Sequence, residues 1–361
     1  MIKVDLIAAA RPNFMKIAPL YHALAREDWV TPRIVHTGQH YDPNMSDAFF
    51  RDLEMPTPNV HLGVGSGSHA EQTGGVMIAY EKAVTADRPD WIVVVGDVNS
   101  TAACAMVGTK LWIPVIHLEA GLRSRDRRMP EEINRLVTDA IADVLWTPSP
   151  DADENLAAEG VPASRIDRVG NIMIDSYELM RHKIEAAGTR ASMGLDGQRY
   201  GMVTLHRPSN VDDPNILAEL VDALAEVSAS LPLVFSVHPR TRKRLADFGL
   251  EPRLARGQVK LVEPMPYIEF MNVVSGATAV ITDSGGVQEE TTYLGIPCLT
   301  LRENTERPIT VTEGSNRLVK REELVRLAAD AAAGRWPTGR RPELWDGQTA
   351  TRCVEALRRR L

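Results

Sequence analysis

Residues 281–290 read ITDSGGVQEE. An apolar pair runs into Asp283, Ser284, Gly285 and Gly286, and two adjacent carboxylates, Glu289 and Glu290, follow. A turn of this kind between a strand and a helix exposes the unpaired N–H groups of the first helical turn. Two glycines let an anion approach that backbone closely. A phosphate is the natural guest. A carboxylate one turn further in would repel phosphate but would accept hydrogen bonds from a sugar hydroxyl beside it, so the combination points to a nucleotide. The same residues also fit a plain tight turn with Ser284 or Asp283 as the helix N-cap. Other groups able to do chemistry stand where apolar runs end: Arg11, Gln39, His40, Asp97, Glu119, His206, His238 and Asp283. One polar strand end means little, but a series of them matches the rule that open parallel sheets bind ligands outside the carboxyl ends of their strands.

The elements that must position these groups are legible as a rhythm. The runs VDLIAAA (4–10), RIVHTG (33–38), WIVVVGD (91–97), PVIHLEA (114–120) and VLWTPS (144–149) read as strands. IAPLYHALARE (17–27) and EEINRLVTDAIAD (131–143) read as helices between them. The rhythm resumes with GMVTLH (201–206), LPLVFSVHP (231–239), VKLVEP (259–264), GATAVIT (276–282) and IPCLTL (296–301). VQEETTYLG (287–295) reads as a helix stopped by Gly295, with Pro297 after it. Near-continuous apolar strands alternating with helices predict parallel sheets covered on both faces. The expected fold is therefore α/β, with two Rossmann-like doubly wound domains, residues 1–170 and 171–345, joined near 170–200. No GxGxxG opens a helix. GVGSGSH (63–69) has the wrong spacing and follows no clear strand, which argues against a nicotinamide site.

A chain of 361 residues is long enough for two cores. A net charge of −7 speaks against a general nucleic-acid binder. No apolar run reaches the ~18 residues of a membrane span, and Asp5 interrupts the apolar N-terminus, so no signal peptide is expected. Cys104, Cys298 and Cys353 are far apart, and neither CxxC nor HExxH occurs. A disulfide framework or metal site is not expected, and a reducing cytoplasm is the expected compartment.

At the level of motifs the chain resembles the non-hydrolysing UDP-N-acetylglucosamine 2-epimerase family. The matching segments are RPNFMKIAPL, HTGQH, GDVNST, HLEAGLRS, MPEEINR, VGNIMIDS, TLHRPSN, TDSGGVQEE, LGIPCLTLRENTERP and EGSNRLV, in that order from about residue 3 to about residue 320. The resemblance implies a GT-B-like pair of domains facing across a cleft, with the nucleotide mainly in the second. It also implies a C-terminal helix (346–361) returning to the first. The implied reaction is reversible C2 epimerisation of UDP-GlcNAc to UDP-ManNAc. UDP is eliminated and added back through 2-acetamidoglucal, with no metal and no cofactor.

By the same resemblance Asp97, Glu119, Glu131 and His206 are the catalytic groups. Three carboxylates suit a reaction that takes a proton from one face of C2 and returns one to the other, because crowded acids hold different protonation states. Arg11, Lys16, Gln39, His40, Arg123, Phe270, Ser284, Gly285, Gly286, Glu290 and Arg307 are the implied substrate-binding residues. Phe270 would lie at the uracil, Ser284 to Gly286 at the diphosphate, and Glu290 at the ribose. The partners expected are a UDP-sugar and a second copy of the chain, with no nucleic acid and no membrane. The segment QHYDPNMSDAFF (39–50) and the histidine context TLHRPSN depart from the REMLDQ and HRREN of many bacterial members, which puts activation by a second UDP-GlcNAc in doubt. A hydrolysing 2-epimerase, a 2-epimerase of a modified UDP-sugar, a GT-B glycosyltransferase and a non-enzymatic sugar-nucleotide sensor are the alternatives.

Overall fold

The β-branched runs pair into two separate parallel sheets. The computed structural model describes residues 1–38, 50 and 52–361, and of Arg11 the backbone only. Among the described residues one sheet holds seven strands in the order β3-β2-β1-β4-β5-β6-β7. These are β1 (Ile2–Ala8), β2 (Val30–His36), β3 (Val60–His61), β4 (Trp91–Val95), β5 (Val115–Leu118), β6 (Val144–Thr147) and β7 (Ile166–Arg168). The other holds six, ordered β10-β9-β8-β11-β12-β13. These are β8 (Gly201–Thr204), β9 (Leu233–Ser236), β10 (Val259–Val262), β11 (Ala279–Thr282), β12 (Cys298–Thr300) and β13 (Asn316–Leu318). Every pairing is parallel, with Leu6 opposite Ile34 in the first sheet and Ile281 opposite Val203 in the second. Both orders step outward from a central strand and then reverse, the doubly wound pattern of a Rossmann-like fold. The α/β fold of two such sheets is the one expected from the apolar rhythm.

The chain divides into two compact units, residues 1–180 with 343–361 and residues 181–342. In the first, Ile92, Val94 and Val115 pack with Tyr80 and Val84 of the helix His69–Ala86. In the second, Leu217, Leu220, Val221 and Leu224 of the helix Pro214–Val227 pack on Val203, Phe235 and Ile281. Each such aliphatic contributes about 1.5–3 kcal/mol by leaving water.

The differences from the sequence reading have local causes. β3, β7 and β13 were not expected; they are two or three residues long and each is a sheet edge. WIVVVGD ends as a strand at Val95, because Gly96 turns the chain at φ +70. The first helix starts at Arg11, six residues before the expected Ile17. Pro12 suits a first turn, and the Asn13 side chain accepts from the Ala10 N–H at 3.1 Å.

The last helix, Thr349–Arg358, packs in the first unit against the helix Arg11–Leu24. Buried Asp175 fixes its start, accepting from the N–H groups of Thr349 at 3.1 Å and Ala350 at 2.7 Å. Asp175→Ala orphans both donors, at about 1–3 kcal/mol for each group left unsatisfied. Urea unfolding is expected to show that loss for Asp175→Ala and a smaller one for Asp175→Asn, whose amide oxygen still accepts. Equal stability of all three proteins would refute this role for Asp175.

Candidate functional site

In each sheet the strand order reverses between two central strands, β1 and β4 in one and β8 and β11 in the other. The chemistry-bearing loops leave the carboxyl ends of those strands, where an open sheet has its binding crevice.

In the first unit, β1 leads into the helix that carries Arg11, Asn13 and Lys16. The side chain of Asn13 reaches the carbonyl of Val95 at the end of β4, 3.1 Å away. β4 ends in Gly96 and Asp97, and β5 ends in Glu119. Glu119 is buried and holds φ +70, a left-handed conformation that costs a residue with a side chain about 1–2 kcal/mol. Its Oε2 is ion-paired with the buried ammonium of Lys16. Its Oε1 is buried and meets no hydrogen-bond partner among the described residues. A Cβ at Gly96 would lie 3.3 Å from the Lys16 nitrogen and 3.7 Å from Glu119 Oε2. The ion pair therefore lies against the backbone that leads into Asp97.

Asp97 is gripped by the helix Pro130–Ile141. Arg135 donates to Asp97 Oδ2 through Nε at 3.1 Å and Nη2 at 2.7 Å, and Asn134 donates to the Asp97 carbonyl at 2.9 Å. The same guanidinium donates to Glu132 at 2.6 Å. Glu132 is buried and accepts from the backbone of Ser124 at 2.9 Å and of Arg125 at 2.8 Å. Burial alone would raise its pKa, but those amides and Arg135 more than offset that and hold it below the usual range. Glu131 stands in the first turn of this helix and is exposed. Arg123 is buried and donates to Asp139 at 2.7 Å, to Glu159 at 2.8 and 2.7 Å, and to the Leu122 carbonyl at 2.8 Å. Those contacts tie the loop that follows Glu119 to Asp139 of the helix Pro130–Ile141 and to Glu159.

In the second unit, β8 delivers His206 and β11 delivers Asp283. Asp283 is fully buried. It accepts from the backbone of His206 at 3.1 Å and of Arg207 at 2.9 Å, from Asn210 at 3.0 Å, and faces the His206 ring at 3.1 Å. Burial would raise its pKa, but these partners outweigh it and keep the carboxylate ionised. The His206 side chain stays 40% exposed, with the ring of His238 5.6 Å away. His238 caps the helix Pro239–Asp247, and burial together with His206 and Arg240 lowers its pKa.

Ser284 is the N-cap of the helix Gly285–Leu294 by backbone position, but its side chain makes no capping bond. A Cβ at Gly285 would meet Glu306 Oε1 at 2.7 Å and Arg307 Nη1 at 3.0 Å, so a side chain there would displace the ends of those two residues. A Cβ at Gly286 would meet nothing within 4 Å, which leaves open the space that an anion at this helix terminus requires. Arg307 spans Glu289 at 2.7 Å and Glu306 at 2.6 Å. Glu290 is buried one turn in. Burial pushes its pKa up to about 8; the charge of Glu289 adds to this, and a hydrogen bond from Tyr267 opposes it. Tyr267 opens the helix Tyr267–Ser275, which also carries the half-buried Phe270. At pH 7 Glu290 is thus protonated and able to donate as well as accept.

Gln39 and His40 lie outside the described residues, as does the side chain of Arg11. Reading the sequence alone overlooked Glu132, Asn134, Arg135, His117 and Asp139. A signal existed: Glu132, Arg135 and Asp139, spaced three and four apart, make one face of a helix, and with Thr138 they are its buried residues.

A sequence model described as UDP-N-acetylglucosamine 2-epimerase matches residues 22–358. The chain is 43% identical over 337 residues to the UDP-N-acetylglucosamine 2-epimerase of Methanocaldococcus jannaschii, spanning 90% of this chain and 91% of that one. It is 39% identical over 321 residues to the UDP-2,3-diacetamido-2,3-dideoxy-D-glucuronate 2-epimerase of Pseudomonas aeruginosa, spanning 88% of each. Among solved structures, that of M. jannaschii UDP-GlcNAc 2-epimerase in complex with UDP-GlcNAc and UDP superposes with a TM-score of 0.89 at 40% identity. It covers 99% of this chain and 100% of that one.

The raised pKa of Glu290 sets a sign for stability against pH. A carboxyl that titrates near 8 when folded and near 4.5 when exposed takes up a proton on folding. Its contribution is complete below about pH 4.5 and is lost as pH rises through 8. Glu290→Gln cannot ionise and has no such loss. The melting temperature of the wild type minus that of Glu290→Gln is expected to fall from pH 5 to pH 9. A difference independent of pH would show that Glu290 is already ionised in the fold.

Proposed function

The chain belongs to the UDP-N-acetylglucosamine 2-epimerase family, and from that premise we propose that it interconverts UDP-GlcNAc and UDP-ManNAc without net hydrolysis. A carboxylate of the first unit removes the C2 proton. The C1–oxygen bond breaks, and the electron pair leaves with UDP to give 2-acetamidoglucal. A proton is returned to the opposite face of C2, and UDP adds back at C1. The observation that carries this reading is Glu119. It is strained at φ +70, buried, anchored through Oε2 on Lys16 and, among the described residues, left with an unpartnered Oε1, beside the turn that leads into Asp97. Buried groups held in unfavourable backbone conformations gather at functional sites.

Asp97, Glu119 and Glu131 are assigned to proton transfer, a role that typically contributes roughly 10²–10⁴-fold. Lys16 and Arg135 hold two of them in place. In the second unit, the N–H groups at Ser284, Gly285 and Gly286, with Arg307 and His206, stabilise the departing diphosphate. Glu290 and Phe270 take the ribose and uracil. The similarity to the P. aeruginosa enzyme favours a second substrate, a 2,3-diacetamido uronic acid carried on UDP.

We further assign the enzyme to the cytoplasm, acting on a free UDP-sugar with neither nucleic acid nor membrane as partner. No described helix is long and apolar enough to cross a membrane. Self-association as a homodimer is supported by Ile78 (61% exposed) and Trp112 (89% exposed). They are carried by, or directly follow, two helices packed together in the first unit, His69–Ala86 and Asn99–Lys110.

Incubation with UDP-GlcNAc in D₂O is expected to give UDP-ManNAc with deuterium at C2, followed by proton NMR. Product retaining protium at C2 contradicts elimination, and accumulation of free ManNAc indicates the hydrolysing reaction. The modified uronic acid nucleotide, run in parallel, decides between the two substrates. Asp97→Asn is expected to bind UDP as the wild type does by calorimetry while losing turnover by at least about 10²-fold. Weakened UDP binding would remove Asp97 from the proton-transfer role.

A further inference from the structure

His117 is buried in the middle of the first unit and has no part in the mechanism above. It lies on β5, two residues before Glu119. Its Nε2 is 2.8 Å from the carbonyl oxygen of Gly96, the residue before Asp97. Its Nδ1 is 2.5 Å from Oδ1 of the buried Asp139. The other oxygen of Asp139 accepts from the N–H of Gly121 at 3.0 Å and from Arg123 at 2.7 Å.

A carbonyl oxygen can only accept, so Nε2 must carry a hydrogen. A neutral imidazole would then turn the lone pair of Nδ1 toward a carboxylate. With a hydrogen on both nitrogens each contact of the ring is satisfied, one to the Gly96 carbonyl and one to the Asp139 carboxylate. We propose that His117 is a positioning residue, an imidazolium that clamps the end of β4 carrying Asp97 to the end of β5 carrying Glu119. Asp139 is held below the usual carboxylate range although burial would raise it, because His117 and Arg123 more than offset that burial.

The clamp acts where the backbone has least support of its own. Gly96, Glu119 and Gly121 all sit at positive φ, at +70, +70 and +80. A Cβ at Gly121 would lie 2.4 Å from the Ala152 carbonyl oxygen, so this turn has no slack. His117 reaches Gly96 directly and Gly121 through Asp139.

The clamp's catalytic consequence rests on Asp97 and Glu119 as proton-transfer groups; its protonation does not. Ring ¹⁵N–¹H correlation spectra of the wild type, with His117 assigned by its loss in His117→Gln, are expected to show a hydrogen on each ring nitrogen. A ring with hydrogen on one nitrogen only overturns the proposal. His117→Gln is expected to lower kcat by about 10²-fold, the cost of a misplacement near 1 Å, with the Kd for UDP by calorimetry within twofold of wild type. Asp139→Asn keeps the shape but not the charge. It is expected to turn the ring neutral and lower kcat similarly, and it serves if His117→Gln does not fold. An unchanged kcat in a folded variant, or a kcat that falls only together with UDP affinity, also overturns it. If the wild type epimerises no UDP-sugar, the functional reading fails, while the ring spectrum still decides the protonation of His117.

Discussion

A carboxylate taken out of water must be met by hydrogen-bond donors, at a penalty of several kcal/mol if it is not. In the first unit the donors come from β5 and the loop that follows it, and in the second from the loop that follows β8. Asp139 draws in the Gly121 backbone, Arg123 and His117. Asp283 draws in the backbone of His206 and Arg207 and the side chain of Asn210. Each loop is fixed because it satisfies a buried acid, and the loops so fixed carry Asp97 and Glu119 in one unit and His206 and Ser284 in the other. The hydrophobic cores behind the sheets supply most of the burial, but they do not specify these turns.

Glu290 is the opposite case. It is buried like Asp139, yet among the described residues only Tyr267 offsets its burial, and the charge of Glu289 adds to it. Its carboxyl stays protonated where the other two are ionised. In the proposed function the missing partners are hydroxyl groups of the ligand, which a neutral acid can meet as donor and acceptor at once. Nearby, Arg307 balances Glu289 and Glu306, and Arg302 adds a second cation to Glu306 at 2.7 Å. The helix terminus thus lies among charges already balanced within the protein, and Gly286 leaves it open to an incoming anion.

The alternation of apolar runs and helices made the doubly wound class legible, since strands covered on both faces need no polar positions. Asp97, Glu119, His206 and Asp283 were visible because each breaks such a run. The edge strands β3, β7 and β13 were not, because two or three residues between solvent and one neighbour leave no pattern. In the pair Glu131–Glu132, a helix turns only one side chain inward, and adjacent letters do not show which. The motif drew attention to Glu131, which is exposed, while Glu132 faces in and holds Arg135. His117 read as part of an apolar strand, and its partner Asp139 lies 22 residues away. A pairing of that range is made by the fold and leaves no trace in local spacing.

The first unit is built from two stretches of chain, with residues 343–361 packed beside residues 1–180. Translation runs in one direction, so this unit lacks a wall until the ribosome has made everything between. The helix Arg11–Leu24 and the buried carboxyl of Asp175 wait for Thr349 and Ala350, while residues 181–342 are contiguous and can close as soon as they emerge. The order of completion therefore inverts the order of synthesis. The half of the protein that carries Asp97 and Glu119 is made first and finished last.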